Sequence, residues 1–293
     1  MDSTGTTNPL FEIVSNVHIV QNYYKLTFNL HGSPIPRPGQ FYQIRCSSST
    51  DPLFRRPFSA HSVVGTGDCP AVEILYRIVG NGTKWLRRRR KGELLDILGP
   101  FGNGFLIDDG ADPVVLVARG VGIASVYMVG EAVRRRDRER RILVLMGART
   151  KERIFYEAEC ESLGDVFFYT DDGSRGFMGT APDLLSRLVR EKSIPERFSI
   201  YACGPARMLK DLARLSGQLN IVGQGALEER MGCGFGACLA CACPLKPGEI
   251  VRNSQWGKPS LHWSDDGTRV YSLICKDGPV YDLKEVEWDE WTT

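Results

Sequence analysis

The chain has 293 residues, 42% hydrophobic and 25% charged, with a net charge of +2. That length buries a substantial core and holds two or three compact units. The near-neutral balance excludes a general nucleic-acid binder, which needs a one-sided basic excess, and no stretch approaches the roughly 18 apolar residues of a membrane span. The polar N-terminus, Met1 to Asn8, lacks a basic region followed by an apolar one and does not read as a signal peptide. Nine cysteines without an export signal point to a reducing compartment, the cytoplasm, with thiols that hold metal or stay free.

From Phe11 to about Asp108 short strands alternate with turns, which predicts an antiparallel barrel or sandwich. Tyr24–Leu30 alternates polar and apolar residues, and Phe41–Arg45 follows a Pro38-Gly39 turn. In Arg56-Pro57-Phe58-Ser59 the arginine is able to grip a diphosphate with two parallel hydrogen bonds. After the strand Val72–Val79, Gly80-Asn81-Gly82-Thr83 reads either as backbone N–H groups bared to a phosphate or as an ordinary Asn-Gly hairpin turn. The run Arg87-Arg88-Arg89-Arg90-Lys91 reads as a solvated face. Leu98-Gly99-Pro100-Phe101-Gly102-Asn103-Gly104-Phe105 closes this unit.

From Asp112 strands alternate with helices, predicting a parallel sheet covered on both faces, with its ligand at the strands' C-terminal ends. The expected strands are Val114–Ala118, Ile142–Met146, Val166–Thr170 and Phe198–Cys203. Gly120 and Gly122 fall at the first strand-to-helix turn, where glycines let a pyrophosphate approach a helix N-terminus. Thr170-Asp171-Asp172-Gly173-Ser174 and Cys203-Gly204-Pro205-Ala206-Arg207-Met208 each end a strand. The mixed-sign run Arg134–Arg141 reads as solvated surface.

Near the C-terminus Cys233, Cys238 and Cys241 follow the spacing C-x4-C-x2-C of plant-type 2Fe–2S centres, whose last cysteine comes from a distance. Gly234 and Gly236 allow a loop to wrap a cluster and turn N–H groups toward its sulfurs. A structural zinc site is the alternative for four thiolates. Cys275, between an apolar run and a turn, is the expected fourth ligand, and Cys243 is the competitor. The span between them carries Trp256, His262 and Trp263, surfaces for packing on the cluster or on a partner, and the tail is acidic and aromatic. The four histidines are scattered, with no metal-type pairing.

Glu228-Glu229-Arg230-Met231, the three cysteines and the later Cys275-Lys276-Asp277-Gly278-Pro279-Val280 together resemble the electron-transfer subunit of the NAD-linked, two-subunit dihydroorotate dehydrogenases, within the ferredoxin reductase-like flavoproteins. The resemblance implies an FAD-binding antiparallel β-barrel over residues 1–108, a parallel α/β NAD-binding domain over 109–222 and a small 2Fe–2S module over 223–293. Arg56, Pro57, Phe58 and Ser59 match the Arg-x-aromatic-Ser flavin signature. With Leu75, Tyr76, Arg77, Gly80, Gly82 and Thr83 they are the implied FAD residues. Gly120, Gly122, Asp171, Gly173, Cys203, Gly204 and Pro205 are implied on the nicotinamide side, and Cys233, Cys238, Cys241 and Cys275 at the cluster. One departure stands out: where the family reads Gly-Gly-x-Gly-x-x-Pro, this chain has Arg119 and Ser125 at the outer positions, so an arginine either crowds the dinucleotide or adds a phosphate contact.

The implied activity is an NAD-linked oxidoreductase subunit, with diaphorase-type activity alone and full activity beside an FMN-containing dihydroorotate dehydrogenase subunit in a cytoplasmic hetero-oligomer of pyrimidine biosynthesis. The alternatives are the same relay serving another oxidoreductase, and a non-enzymatic cluster- or zinc-bearing assembly subunit whose nicotinamide site has decayed.

Overall fold

Alternating side chains in the first hundred residues form seven antiparallel strands: β1 (Leu10–Val20), β2 (Tyr23–Asn29), β3 (Phe41–Ile44), β4 (Arg56–Ser59), β5 (Ser62–Val64), β6 (Ala71–Arg77) and, after helix α1 (Asn81–Leu86), β7 (Leu94–Phe101). The structure, a computed structural model, describes residues 10–65, 70–250 and 259–291; the polar N-terminus Met1–Asn8 and Trp256 lie outside the described residues. The strands follow the order β4-β3-β7-β1-β2-β6-β5. The sheet curls so that Phe58 of β4 meets Tyr76 of β6 edge-on, ring centroids 6.0 Å apart. Phe11, Ile13, Leu26, Phe28, Ile44 and Ile74 fill the interior, where removal of apolar surface from water supplies the main driving force.

The segment Gly80–Thr83 is no simple hairpin turn. It starts α1, whose first turn is fixed by the Thr83 hydroxyl oxygen accepting from the N–H groups of Val79 (2.9 Å) and Gly80 (3.1 Å). The basic run after α1 is exposed as expected, except that Arg89 lies over the Trp85 ring at 4.3 Å.

The second unit comprises β8 (Val114–Arg119), α2 (Ile123–Arg136), β9 (Ile142–Ala148), α3 (Glu157–Glu161), β10 (Asp165–Thr170), β11 (Phe177–Met178), α4 (Ala181–Arg190), β12 (Ser199–Cys203), α5 (Ala206–Leu219) and β13 (Gly223–Ala226). Alternate residues of the buried strands serve opposite faces. Val115, Val117, Leu143 and Leu145 pack on α4 and α5, while Val114, Leu116, Val144 and Met146 pack on α2. This two-sided burial is why the strands read as continuous apolar runs.

The remaining strands are β14 (Ala242–Leu245), β15 (His262–Trp263), β16 (Val270–Leu273) and β17 (Val280–Asp282). The large sheet runs β11-β10-β9-β8-β12-β13-β17 and is parallel except where β17 pairs antiparallel with β13. Two of its strands thus come from beyond residue 222, because β13 pairs with β12 and the chain returns along β17 after the small sheet β14-β16-β15. Trp263 and His262 are exposed on the edge strand β15, whereas the tail tucks Trp288 and Trp291 into the core beside α5.

The run Arg134–Arg141 corrects the expectation of a wholly solvated surface. Arg140 is buried, donating to the Asp112 and Asp108 carbonyls and the Asp108 carboxylate, and Arg134 donates to the Leu163 carbonyl at 2.7 Å. A guanidinium carries five donors, so it can tie off several loop carbonyls at once. Among the described residues no helix is long and apolar enough to cross a membrane.

Candidate functional site: a cavity between two domains and a neighbouring cysteine cluster

A cavity of about 800 Å³ lies between the curled sheet and the start of α2. It is large for a small-molecule site, where about 300–1,000 Å³ is usual. Arg56, Pro57, Phe58 and Ser59 of β4 line one wall, and Leu75, Tyr76 and Arg77 at the end of β6 another. Gly80, Gly82 and Thr83 at the start of α1 complete that side. Gly82 is small for a reason: a Cβ there would stand 3.2 Å from Cys46 Cβ and 3.4 Å from Arg56 Cγ. The missing side chain lets Arg56 lie along the first turn of α1. Arg56 is steadied by donating to the Phe54 carbonyl at 2.8 Å.

The opposite wall comes from residues that the sequence pattern did not single out as cavity lining. Val121, Ala124 and Ser125 enter from the first turn of α2, and Leu227–Met231 and Pro279 from the approach to the cysteines. The usable signal for Glu228–Met231 was contiguity with Cys233. The Ser59 and Ser125 hydroxyls meet at 2.8 Å, joining the two domains at the cavity floor. Cys203 Sγ lies 4.0 Å from Glu228 Oε1. Burial pushes the Cys203 thiol up, and the protein surrounding Glu228 on its cavity wall pushes that carboxyl up as well.

The other residues expected on the nicotinamide side gather at the C-terminal edge of the parallel sheet, outside the cavity lining. The strand order reverses between β8 and β12, the switch point where such sheets take ligands. Gly120 there has φ +57 and leads through a short 3-10 turn into α2. A Cβ on Gly122 would stand 2.2 Å from the Cys203 carbonyl oxygen, so this glycine lets α2 close onto β12. Pro205 is the N-cap residue of α5, and Gly173 takes φ +71 in the turn after β10. Arg119 donates from Nη1 to Asp171 Oδ1 at 3.0 Å and from Nη2 to Oδ2 at 2.6 Å.

The cysteines stand in two pairs. The Cys233 N–H donates to Cys238 Sγ at 3.4 Å, and the Cys275 N–H to Cys241 Sγ at 3.4 Å. The Ala237 N–H donates to Cys233 Sγ at 3.2 Å. Against a desolvation penalty, the backbone N–H groups of Phe235, Cys238 and Ala237 bring the Cys233 thiol down to about 6. The Cys275 thiol, with a smaller contribution from its backbone N–H and against the cost of burial, brings Cys241 down to about 7. Thiolates are the metal-binding form, so amides already aimed at sulfur fit a cluster. Among the described residues no three His, Cys, Asp or Glu side chains converge as a ready-made metal site. Cys243 differs: it is fully buried in β14, its Sγ turned to the Pro244 carbonyl at 3.7 Å, and burial pushes its thiol well up. Gly234 packs on Gln43 of β3, where a Cβ would come within 2.4 Å of Nε2, so the cysteine loop rests directly on the first domain.

A curled antiparallel domain, a parallel α/β domain with its ligand edge beside a shared cavity, and a cysteine loop docked on both define a ferredoxin reductase-like electron-transfer protein. Residues 116–214 match the oxidoreductase NAD-binding domain, and residues 228–254 match the iron–sulfur cluster binding domain of dihydroorotate dehydrogenase B. The chain is 34% identical over 274 residues to the dihydroorotate dehydrogenase B (NAD(+)) electron transfer subunit of Caldanaerobacter subterraneus subsp. tengcongensis, covering 94% of this chain and 96% of that one. Against the Bacillus mycoides subunit of the same name it is 34% identical over 280 residues, with 94% and 96% covered. Among solved structures it resembles an NADH-dependent reduced ferredoxin–NADP oxidoreductase, with a TM-score of 0.73, 26% identity, and 98% of this chain and 92% of that chain covered. The chain belongs to the family of dihydroorotate dehydrogenase B electron transfer subunits.

Proposed function

We propose that the chain relays electrons between NAD(H), FAD and a 2Fe–2S cluster, and that it works against an FMN-containing dihydroorotate dehydrogenase catalytic subunit in a cytoplasmic complex. One observation carries this reading. Arg56–Ser59, Leu75–Arg77, Gly80, Gly82 and Thr83 all face one cavity, and the opposite wall of that cavity, Leu227–Met231, runs within two residues into Cys233. A flavin site and a cluster site would then share a wall.

In this reading Arg56 holds the FAD diphosphate with the N–H groups at the start of α1, Phe58 and Tyr76 border the flavin, and Ser59 offers its hydroxyl to the ring edge. Bound flavin supplies the exchange between the two-electron hydride of a nicotinamide and the one-electron cluster. Gly120, Gly122, Asp171, Gly173 and Cys203–Pro205 face the dinucleotide, and Cys233, Cys238, Cys241 and Cys275 hold the iron. The three functional spans are 1–108, 109–222 and 223–293, with β13 and β17 of the last span contributed to the nucleotide sheet. The relatives' name supports the partner, and the nine cysteines support a reducing compartment.

An anaerobic visible spectrum of the purified full chain tests the relay: flavin and iron–sulfur bands should bleach on adding NADH. Reconstitution with a dihydroorotate dehydrogenase catalytic subunit should then give dihydroorotate-dependent NAD⁺ reduction. Bleaching without that coupled activity points to another oxidoreductase partner. Bands that bleach with dithionite and not with NADH point to an altered nicotinamide site, a reading favoured only by the Arg119–Asp171 pair.

A further inference from the structure

We propose that Arg119 is a phosphate receptor for the dinucleotide, held in reserve by Asp171, so that binding exchanges a carboxylate for a phosphate on the same guanidinium. The inference rests on the nicotinamide reading above and assigns a specific role to one of the two residues that depart from the family pattern at this turn.

The place is the first reason. Arg119 ends β8 at the switch point of the sheet, one residue before the left-handed Gly120 and the turn into α2. Its stem runs close beside the backbone just after β12, where a Cβ on Gly204 would stand 3.3 Å from Arg119 Cβ. The guanidinium crosses the end of β9 to reach Asp171 beyond β10, because β9 lies between those strands. A ligand laid along the C-terminal edge must therefore meet this pair.

The chemistry is the second reason. A guanidinium presents the same two-pronged face to a carboxylate and to a phosphate. The partners are unequally held: the Arg119 side chain is 21% exposed and that of Asp171 50%. Asp171 is thus the member that can turn to water, and an ion pair with one half-exposed partner is held only weakly. A phosphate delivered by a nucleotide anchored elsewhere on the site gains the local concentration to replace it. Two phosphates could do so, the pyrophosphate or a 2′-phosphate, and these are told apart by comparing NADH with NADPH.

The test uses the FAD- and cluster-loaded full chain, reduced beforehand with dithionite under anaerobic conditions so that no hydride passes to the flavin, and measures the Kd of NADH and NADPH by nicotinamide fluorescence at two salt concentrations. Wild type, Asp171→Asn and Arg119→Gly are compared, with flavin content and far-UV circular dichroism as controls for folding. Asp171→Asn frees the guanidinium and should tighten binding about threefold or more. Arg119→Gly should weaken binding about tenfold and flatten its salt dependence. A gain confined to NADPH assigns the 2′-phosphate, and an equal gain for both assigns the pyrophosphate. Arg119→Gly binding as tightly as wild type with the same salt dependence overturns the receptor while leaving the nicotinamide site standing. Absence of binding to wild type and both variants overturns the nicotinamide reading and the receptor with it.

Discussion

Ser59 of the first domain and Ser125 of the second share a hydrogen bond of 2.8 Å between their hydroxyls, at the floor of the cavity where the two domains meet. Ser125 stands in the first turn of α2, and its hydroxyl fixes the rotamer of Ser59 from across the interface. Ser125→Ala should cost about 0.5–1.5 kcal/mol, a fall of ~1–6 °C in melting temperature, with FAD affinity little changed. Ser59→Ala should cost a similar amount of stability and also weaken FAD. Equal FAD titrations for the two variants would place Ser59 in the interface alone.

Arg56 is the cationic side chain laid along the start of α1. Losing charge-assisted hydrogen bonds to a diphosphate costs about 1.5–3 kcal/mol, so Arg56→Ala should raise the FAD dissociation constant about 10- to 150-fold. Arg56→Lys should fall between, since an ammonium keeps the charge but not the planar fork. Fluorescence titration of the deflavinated chain gives these constants.

The two sulfur pairs and the buried Cys243 predict different outcomes for five substitutions. Serine at position 233, 238, 241 or 275 should lower iron per chain and remove the cluster's visible absorption. Cys243→Ala should keep the iron and lose about 1 kcal/mol by deleting a buried sulfur from a packed strand. Iron analysis with thermal melts settles the assignment; iron lost from Cys243→Ala and kept by Cys275→Ser would reverse it.

His61 is fully buried between the domains, 2.8 Å from the Tyr156 hydroxyl, and desolvation brings it down to about 3 from 6.5. The unfolded chain takes up this proton near pH 6.5 and the native chain does not until about 3. Stability from this group is therefore complete above 6.5 and is lost as pH falls across that window, by at most about 1.4 kcal/mol per pH unit. Lys25, whose charge also disfavours the imidazolium, is paired with Glu73 at 3.0 Å. Glu131, accepting from Ser62 nearby, is pushed up by burial and so binds its proton earlier in the native state, offsetting part of the slope. Denaturant melts from pH 7 to 4 should show a shallower fall for His61→Phe, from a lower starting stability because Tyr156 loses its partner.

Local patterns determined much of this protein. Alternation of residue types in Tyr24–Leu30 and unbroken apolar runs in Val114–Ala118 and Ile142–Met146 separate the antiparallel from the parallel unit, because strands covered by helices on both faces lose the polar alternation. The cysteine spacing and the motifs beside it identified the chemistry, since ligand loops need fixed residue types at fixed intervals. Tertiary structure alone decided how distant segments meet. No local rule says that Val280–Asp282 crosses back to pair with Gly223–Ala226, that Arg140 is buried by loop carbonyls, or that Leu227–Met231 walls the same cavity as Arg56. Arg119 shows the limit most plainly. In sequence it is only an arginine where a glycine is usual, and its partner stands 52 positions away, brought within reach by the order of three strands.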